Sequence, residues 1–175
     1  MAESEWIEVF KVAAEGYVEF LESVEARSQD EFLVGVSRTL SVLYRAGLDL
    51  PDVWDDNWQF NGEHRPRERT QQRLLAHIRQ LMGDEDSYVS VVAYGPHAGK
   101  DLGGSLSDDL IDIYAEVSTG LSVLREGGSP GEAAWVWRFG FWGHWGEHAV
   151  DALRIVYSHI AEDIGGTTAI AGGGH

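Results

Sequence analysis

No cysteine occurs anywhere in the 175 residues. Disulfides, thiol nucleophiles and thiolate metal sites are therefore excluded, and any metal must be held by His, Asp, Glu or backbone oxygen. Long apolar runs are missing as well. The longest, Ala133 to Trp145, is interrupted by Arg138 and His144, and falls short of the ~20 apolar residues that cross a bilayer. The opening Met1-Ala2-Glu3-Ser4-Glu5 has neither the basic start nor the apolar run of a secretory signal, so the cytoplasm is the expected compartment. Positive charge is scarce: Lys and Arg number 13 against 29 Asp and Glu, a formal net charge of −16. Such a field repels phosphate backbones and anionic lipid heads. Nucleic acid and membranes are thus not expected as partners, whereas a basic protein is. Arg65, Arg67, Arg69, Arg73 and Arg79 form a local basic cluster, read as a solvated helix face or as partners for the protein's own carboxylates. There is no phosphate-binding glycine loop, nucleophile elbow or dinucleotide fingerprint, and no catalytic residue is assigned.

What is present is apolar periodicity. Hydrophobic residues make up 43% and charged residues 24%, a balance that supports a folded core in a chain of this length. Trp6, Phe10, Ala13, Tyr17, Leu21 and Val24 recur at helical spacing and predict a first helix over residues 5–26. Ser28-Gln29-Asp30-Glu31 reads as a capping box opening a second, with the stripe Phe32, Val36, Leu40 and Leu43 and Gly47 as its C-cap. Residues 48–66 read as a loop of prolines, acids and the aromatics Trp54, Trp58 and Phe60. Pro66 suits the first turn of a third helix that ends near Gly83. Residues 88–94 (YVSVVAY) predict one short extended segment with no obvious partner, and Gly95 to Gly104 a turn-rich connection.

Ser105 to Asp108 can cap a further helix with core positions Leu106, Leu110, Ile113, Tyr114, Val117, Leu121 and Leu124. Gly127-Gly128-Ser129-Pro130-Gly131 breaks it, and a last helix is expected from Glu132 to Ile164. Spaced at 100° per residue, that helix is apolar on two faces. One carries Trp135, Arg138, Trp142, Trp145, Ala149 and Leu153, the other Trp137, Phe141, His144, His148 and Ile155. A helix apolar on two faces belongs at the centre of the fold. Gly140, Gly143 and Gly146 on its third face suggest close approach of a neighbouring backbone, or a kink. The expected architecture is all-α: a single-domain bundle of five to six helices over residues 1–164 with the last helix central, followed by a flexible tail, 165–175.

Two clusters can carry chemistry. His144 and His148 stand four apart, so both imidazoles leave one helix face and can share a metal ion. The run His144-Trp145-Gly146-Glu147-His148 matches an HxxEH peptidase pattern, but too little chain follows for the third ligand those enzymes take from a downstream helix. Asp109, Asp112 and Glu116 line one side of the preceding helix, where like charges repel unless a cation lies among them. If the two helices pack together, His144, His148, Asp109 and Asp112 form a two-His, two-acid site of the kind that binds zinc, manganese or iron in bundles, and such a metal suits hydrolysis by activating water. The structural alternative pairs Arg138, set on an apolar face, with Asp109 or Asp112, and leaves the histidines as hydrogen-bonded core groups.

The segments GGSLSDDLIDIYAEVSTGLSVL and EAAWVWRFGFWGHWGEHAVDALRIVY resemble the signature of a bacterial family catalogued only as a domain of unknown function. Ser105, Asp108, Asp109, Asp112, Tyr114, Trp135, Trp137, Arg138, His144, Trp145, Gly146, His148, Asp151 and Ala152 fall on it. The residues from Tyr88 to Pro96 depart from the family's usual piece, having no Asp-Pro. The resemblance implies a helical fold and supplies no activity. Two functions follow from the residues. The first is a non-enzymatic interaction or regulatory module, immunity-like, which uses its acidic charge, Trp54, Trp58, Asp109, Asp112 and Arg138 to mask a basic partner and needs no cofactor. The second is a metal-dependent hydrolase or metal-binding bundle, with a divalent ion on His144, His148, Asp109 and Asp112.

Overall fold

The computed structural model describes residues 3–52, 68–91 and 99–171. Helix α1 (Glu3–Glu22) turns Phe10, Ala14, Tyr17 and Leu21 inward at three- and four-residue steps and continues into a single 3-10 turn, Val24–Ala26. The predicted capping box opens α2 (Gln29–Leu48): the Ser28 hydroxyl accepts the Glu31 N–H, and the Glu31 carboxylate accepts the Ser28 N–H. Phe32, Val36, Leu40 and Leu43 are completely buried; each contributes about 1.5–3 kcal/mol relative to exposure. Gly47 does not cap this helix. It lies inside it, where an added Cβ would sit 2.8 Å from the Phe141 ring, so its smallness is what lets α2 meet the end of the chain. Trp54, Trp58, Arg65, Pro66 and Arg67 lie outside the described residues, as does most of the expected loop.

Helix α3 (Glu68–Met82) buries Leu74, Ile78 and Met82. Its arginines pair with the protein's own carboxylates: Arg73 with Glu25 at 2.5 Å, Arg79 with Asp108 at 2.8 Å. The extended segment is β1 (Ser87–Val91), and it does have a partner. Antiparallel β2 (Asp101–Ser105) pairs Ser87 with Ser105 and Tyr88 with Gly104, so part of the expected connection is a strand.

Helix α4 (Leu106–Arg125) follows directly and packs against α1, α3 and the two helices that come after it. Residue 108 was expected to complete a cap with Ser105. The Ser105 hydroxyl does accept the Asp108 N–H, but the Asp108 carboxylate goes to Arg79. The expected single last helix has three parts: α5 (Pro130–Gly140), one π-helical turn (Phe141–Trp145) and α6 (Gly146–Ala171). A capping box of Ser129 and Glu132 opens α5, with Pro130 in the first turn. Across the π turn the buried side chains run Trp137, Phe141, Trp145, Ala149, four residues apart each time. On an ideal helix such steps drift around the axis; the wide turn, which spends one more residue per revolution, holds them in line. The same shift removes Trp142 from the apolar face where a 100° wheel puts it, leaving it 65% exposed. No helix among the described residues is long and apolar enough to cross a membrane.

Candidate metal centre

The seam between α4 and the π turn brings the two polar clusters together. On α4, Asp109, Asp112 and Glu116 lie three and four residues apart and share one face. Opposite them stand His144, in the π turn, and His148, one turn into α6. The Nδ1 of His148 lies 2.8 Å from Asp109 Oδ1, and the Nδ1 of His144 lies 2.6 Å from Glu116 Oε1. An ionised carboxylate only accepts, so each ring carries its proton on Nδ1. In neutral rings both Nε2 atoms then carry lone pairs, and the two atoms stand 3.2 Å apart. Asp112 completes the group, its Oδ2 3.8 Å from His148 Nε2. Ligand atoms of Asp112, His144 and His148 all lie within 4.8 Å of one another.

Three small residues make this arrangement fit. A Cβ on Gly140 would stand 2.1 Å from Glu116 Oε2, so the carboxylate that holds His144 occupies the space a side chain would fill. A Cβ on Gly146 would lie 2.3 Å from the carbonyl oxygen of Phe141, the group that accepts the Gly146 N–H and closes the π turn. Gly143 faces open space. The glycines therefore admit a carboxylate and a carbonyl of the same helix, not the backbone of a neighbouring helix. The third small residue that matters is Gly104, across from Tyr88 in the hairpin. A Cβ there would meet the Tyr88 ring at 2.4 Å. With none present, the ring lies over the strand and its hydroxyl donates to Asp109 Oδ2 at 2.5 Å. Burial, followed by that bond, raises the Tyr88 hydroxyl far above its ordinary value, so it stays a donor. The bond to Asp109 raises His148 above 6.5.

Two expectations differ from the geometry. Asp109 lies outside the group formed by Asp112, His144 and His148: both of its oxygens are engaged, one by His148 and one by Tyr88, and it is 5% exposed. It is hydrogen-bonded to the Nδ1 side of His148, as Glu116 is to that of His144. Arg138 pairs with neither Asp109 nor Asp112. Its guanidinium donates to the Leu50 carbonyl at 2.6 Å and to Asp52 at 3.3 Å, tying α5 to the segment after α2. Trp54 and Trp58 lie outside the described residues. Sequence reasoning missed Tyr88 altogether and set Glu116 aside, although its spacing from Asp112 was a usable signal.

A cavity of ≈ 470 Å³ opens beside the pair, lined by Asp112 and Glu116 of α4, by Trp135, Val136 and Phe139 of α5, and by His144. The Trp135 and Phe139 rings are stacked, with centroids 5.0 Å apart and planes 5° from parallel.

The model of a family described as a domain of unknown function, DUF5063, matches residues 2–162, and the chain belongs to that family. Among solved structures it is similar to protein BF1032 from Bacteroides fragilis, with 20% identity, 85% of this chain and 88% of that chain covered, and a TM-score of 0.73. That likeness shows a shared fold. Comparison with curated proteins gives no match.

Proposed function

We propose that this protein binds a divalent transition-metal ion, zinc, manganese or iron, through His144, His148 and Asp112, with Asp109 and Glu116 orienting the two rings. The observation that carries this reading is the 3.2 Å approach of two Nε2 atoms whose Nδ1 positions are both committed to carboxylates. Two lone pairs aimed at each other repel unless a proton or a metal ion lies between them, and Asp112 beside the pair adds a third ligand atom that favours the metal. At metal–nitrogen bonds of ~2.05 Å, a 3.2 Å separation corresponds to an N–metal–N angle of about 100°, suited to a tetrahedral or somewhat more crowded ion. Carboxylates behind both histidines are the usual support of such ligands. Three protein ligands leave a coordination position for water or a ligand oxygen, and the chemistry such an ion supplies is polarisation of a carbonyl or activation of water.

The test is elemental analysis of untagged protein purified without chelator, beside a His144→Ala, His148→Ala double variant. Near-stoichiometric metal in the first and none in the second supports the reading. Failure of the wild-type protein to bind zinc, manganese or iron when titrated with each would end it.

A second reading, an acidic module that masks a basic partner, draws on the net charge of −16. It also draws on an exposed apolar groove between α1 and α2, where Val9, Val12 and Val42 lie beside Glu5 and Glu8, with Arg38 and the Arg45–Asp49 ion pair along it. A stoichiometric basic partner recovered from the native host, and lost with Val12→Asp, would support it. Recovery of no such partner would count against it.

A further inference from the structure

We infer that the cavity beside the histidines is the ligand chamber of the metal centre and takes a small organic molecule with a flat, uncharged body and an oxygen donor for the ion. This rests on the metal reading above and deepens it. The volume, ≈ 470 Å³, falls within the ~300–1,000 Å³ typical of small-molecule sites. Its lining combines two chemistries. Asp112, Glu116 and His144 are where an oxygen bound to the ion would enter. Trp135 and Phe139 of α5 add parallel rings, a surface that favours a flat apolar body.

Charge narrows the class further. Two carboxylates line the chamber and no Lys or Arg does, among the described residues. The ion's charge is already offset by Asp112 and, from behind, by Asp109 and Glu116. A phosphate or other multiply charged group would meet no cation beyond the ion itself, so the body of the ligand carries no negative charge. Gly143 lines the same chamber with nothing within 4 Å of the position its Cβ would take. The space there is available to a ligand and would be filled by any larger residue.

The test compares two probes with one metal-binding head: acetohydroxamate and benzohydroxamate, titrated into the zinc-loaded full chain. Benzohydroxamate should bind about tenfold tighter, since only its ring reaches the aromatic wall. That ratio should fall to about one in Phe139→Ala, which removes part of the wall from an exposed position, and in Gly143→Leu, which fills the chamber. Taking a ratio within each protein cancels any change in zinc occupancy, and circular dichroism checks that each variant is folded. Zinc binding with equal affinity for the two probes would overturn the chamber and leave the metal centre standing. A tenfold preference that survives both variants would also overturn it, because the ring would then lie elsewhere. No zinc binding at all would overturn the metal reading and this inference with it.

Discussion

Asp86 and Asp109 are both buried, 7% and 5% exposed, and both serve the first turns of α4. They differ in where their hydrogen bonds lead. Asp86 sits in the 3-10 turn after α3, where one oxygen accepts the Ser107 N–H at 2.8 Å and the other accepts the hydroxyls of Ser105 and Ser107 at 2.8 and 2.7 Å. Every donor belongs to the start of the same helix, and among the described residues the only group beyond it that joins the network is Arg79 of α3, which donates to Ser107. The network does what a helix cap does, supplied from a neighbouring element. Asp109 accepts from Tyr88 and His148, and His148 has a second nitrogen that meets His144, which lines the cavity. A buried carboxylate whose donors end there holds a fold together. One whose donor has another working atom holds something else in position.

This contrast can be broken by substitution. The largest effect expected is on stability. Asp86→Ala leaves the Ser107 N–H and two hydroxyls without an acceptor and should lower unfolding free energy by about 3 kcal/mol, read by urea denaturation. Zinc affinity of the remaining folded protein should be unchanged. Asp109→Asn should reverse the pattern, weakening zinc binding by roughly 10–100-fold in calorimetric titration, because the ring of His148 loses the acceptor that fixes it. If Asp86→Ala harms zinc binding as much as Asp109→Asn does, the distinction drawn between the two residues is wrong.

Smaller effects sharpen the same comparison. Tyr88→Phe deletes one donor to Asp109 and should cost about 1 kcal/mol of stability, with less than a tenfold loss in zinc affinity. The smallest effect is a pH dependence. The folded value of His148 is raised, chiefly by the bond to Asp109. In metal-free protein its protonated form therefore adds stability that is fully present below about 6.5 and lost as pH rises through the raised value. Zinc requires the unprotonated ring, so the zinc-induced gain in melting temperature should grow over the same pH interval. Scanning calorimetry of both forms from pH 5.5 to 8 measures the two trends, and parallel curves would contradict the assignment of His148 as a ligand.

Much of this was legible in the residues and some was not, for reasons that can be named. The helices, the Ser28–Glu31 capping box, and the shared faces of His144 with His148 and of the α4 carboxylates follow from spacing along helices, which is a local property. The hairpin was hidden because β2 reads Asp-Leu-Gly-Gly-Ser, with little of the β-branched or aromatic content that marks a strand. With it went Tyr88, which reaches Asp109 only through that pairing. Arg138 was matched to the nearest acids on a neighbouring helix, whereas its partners, Leu50 and Asp52, lie more than 80 residues earlier in the chain. The exposure of Trp142 was missed because a helical wheel assumes a constant turn, and the π turn breaks that assumption.

The π turn has a consequence in genetic terms. It amounts to one residue more than an α-helix needs to cover the same revolution. Deleting a single codon, that of Gly143 for instance, would leave a regular helix in which Trp137, Phe141 and the residues that Trp145 and Ala149 become still share one face, because their steps of four, three and four residues return to within about 60° of one another. Adding a codon that no second wide turn absorbs would instead rotate everything downstream by about 100° against everything upstream, and His148 would turn away from Asp109. The alignment of the core therefore tolerates the loss of a residue at this turn and not the gain of one.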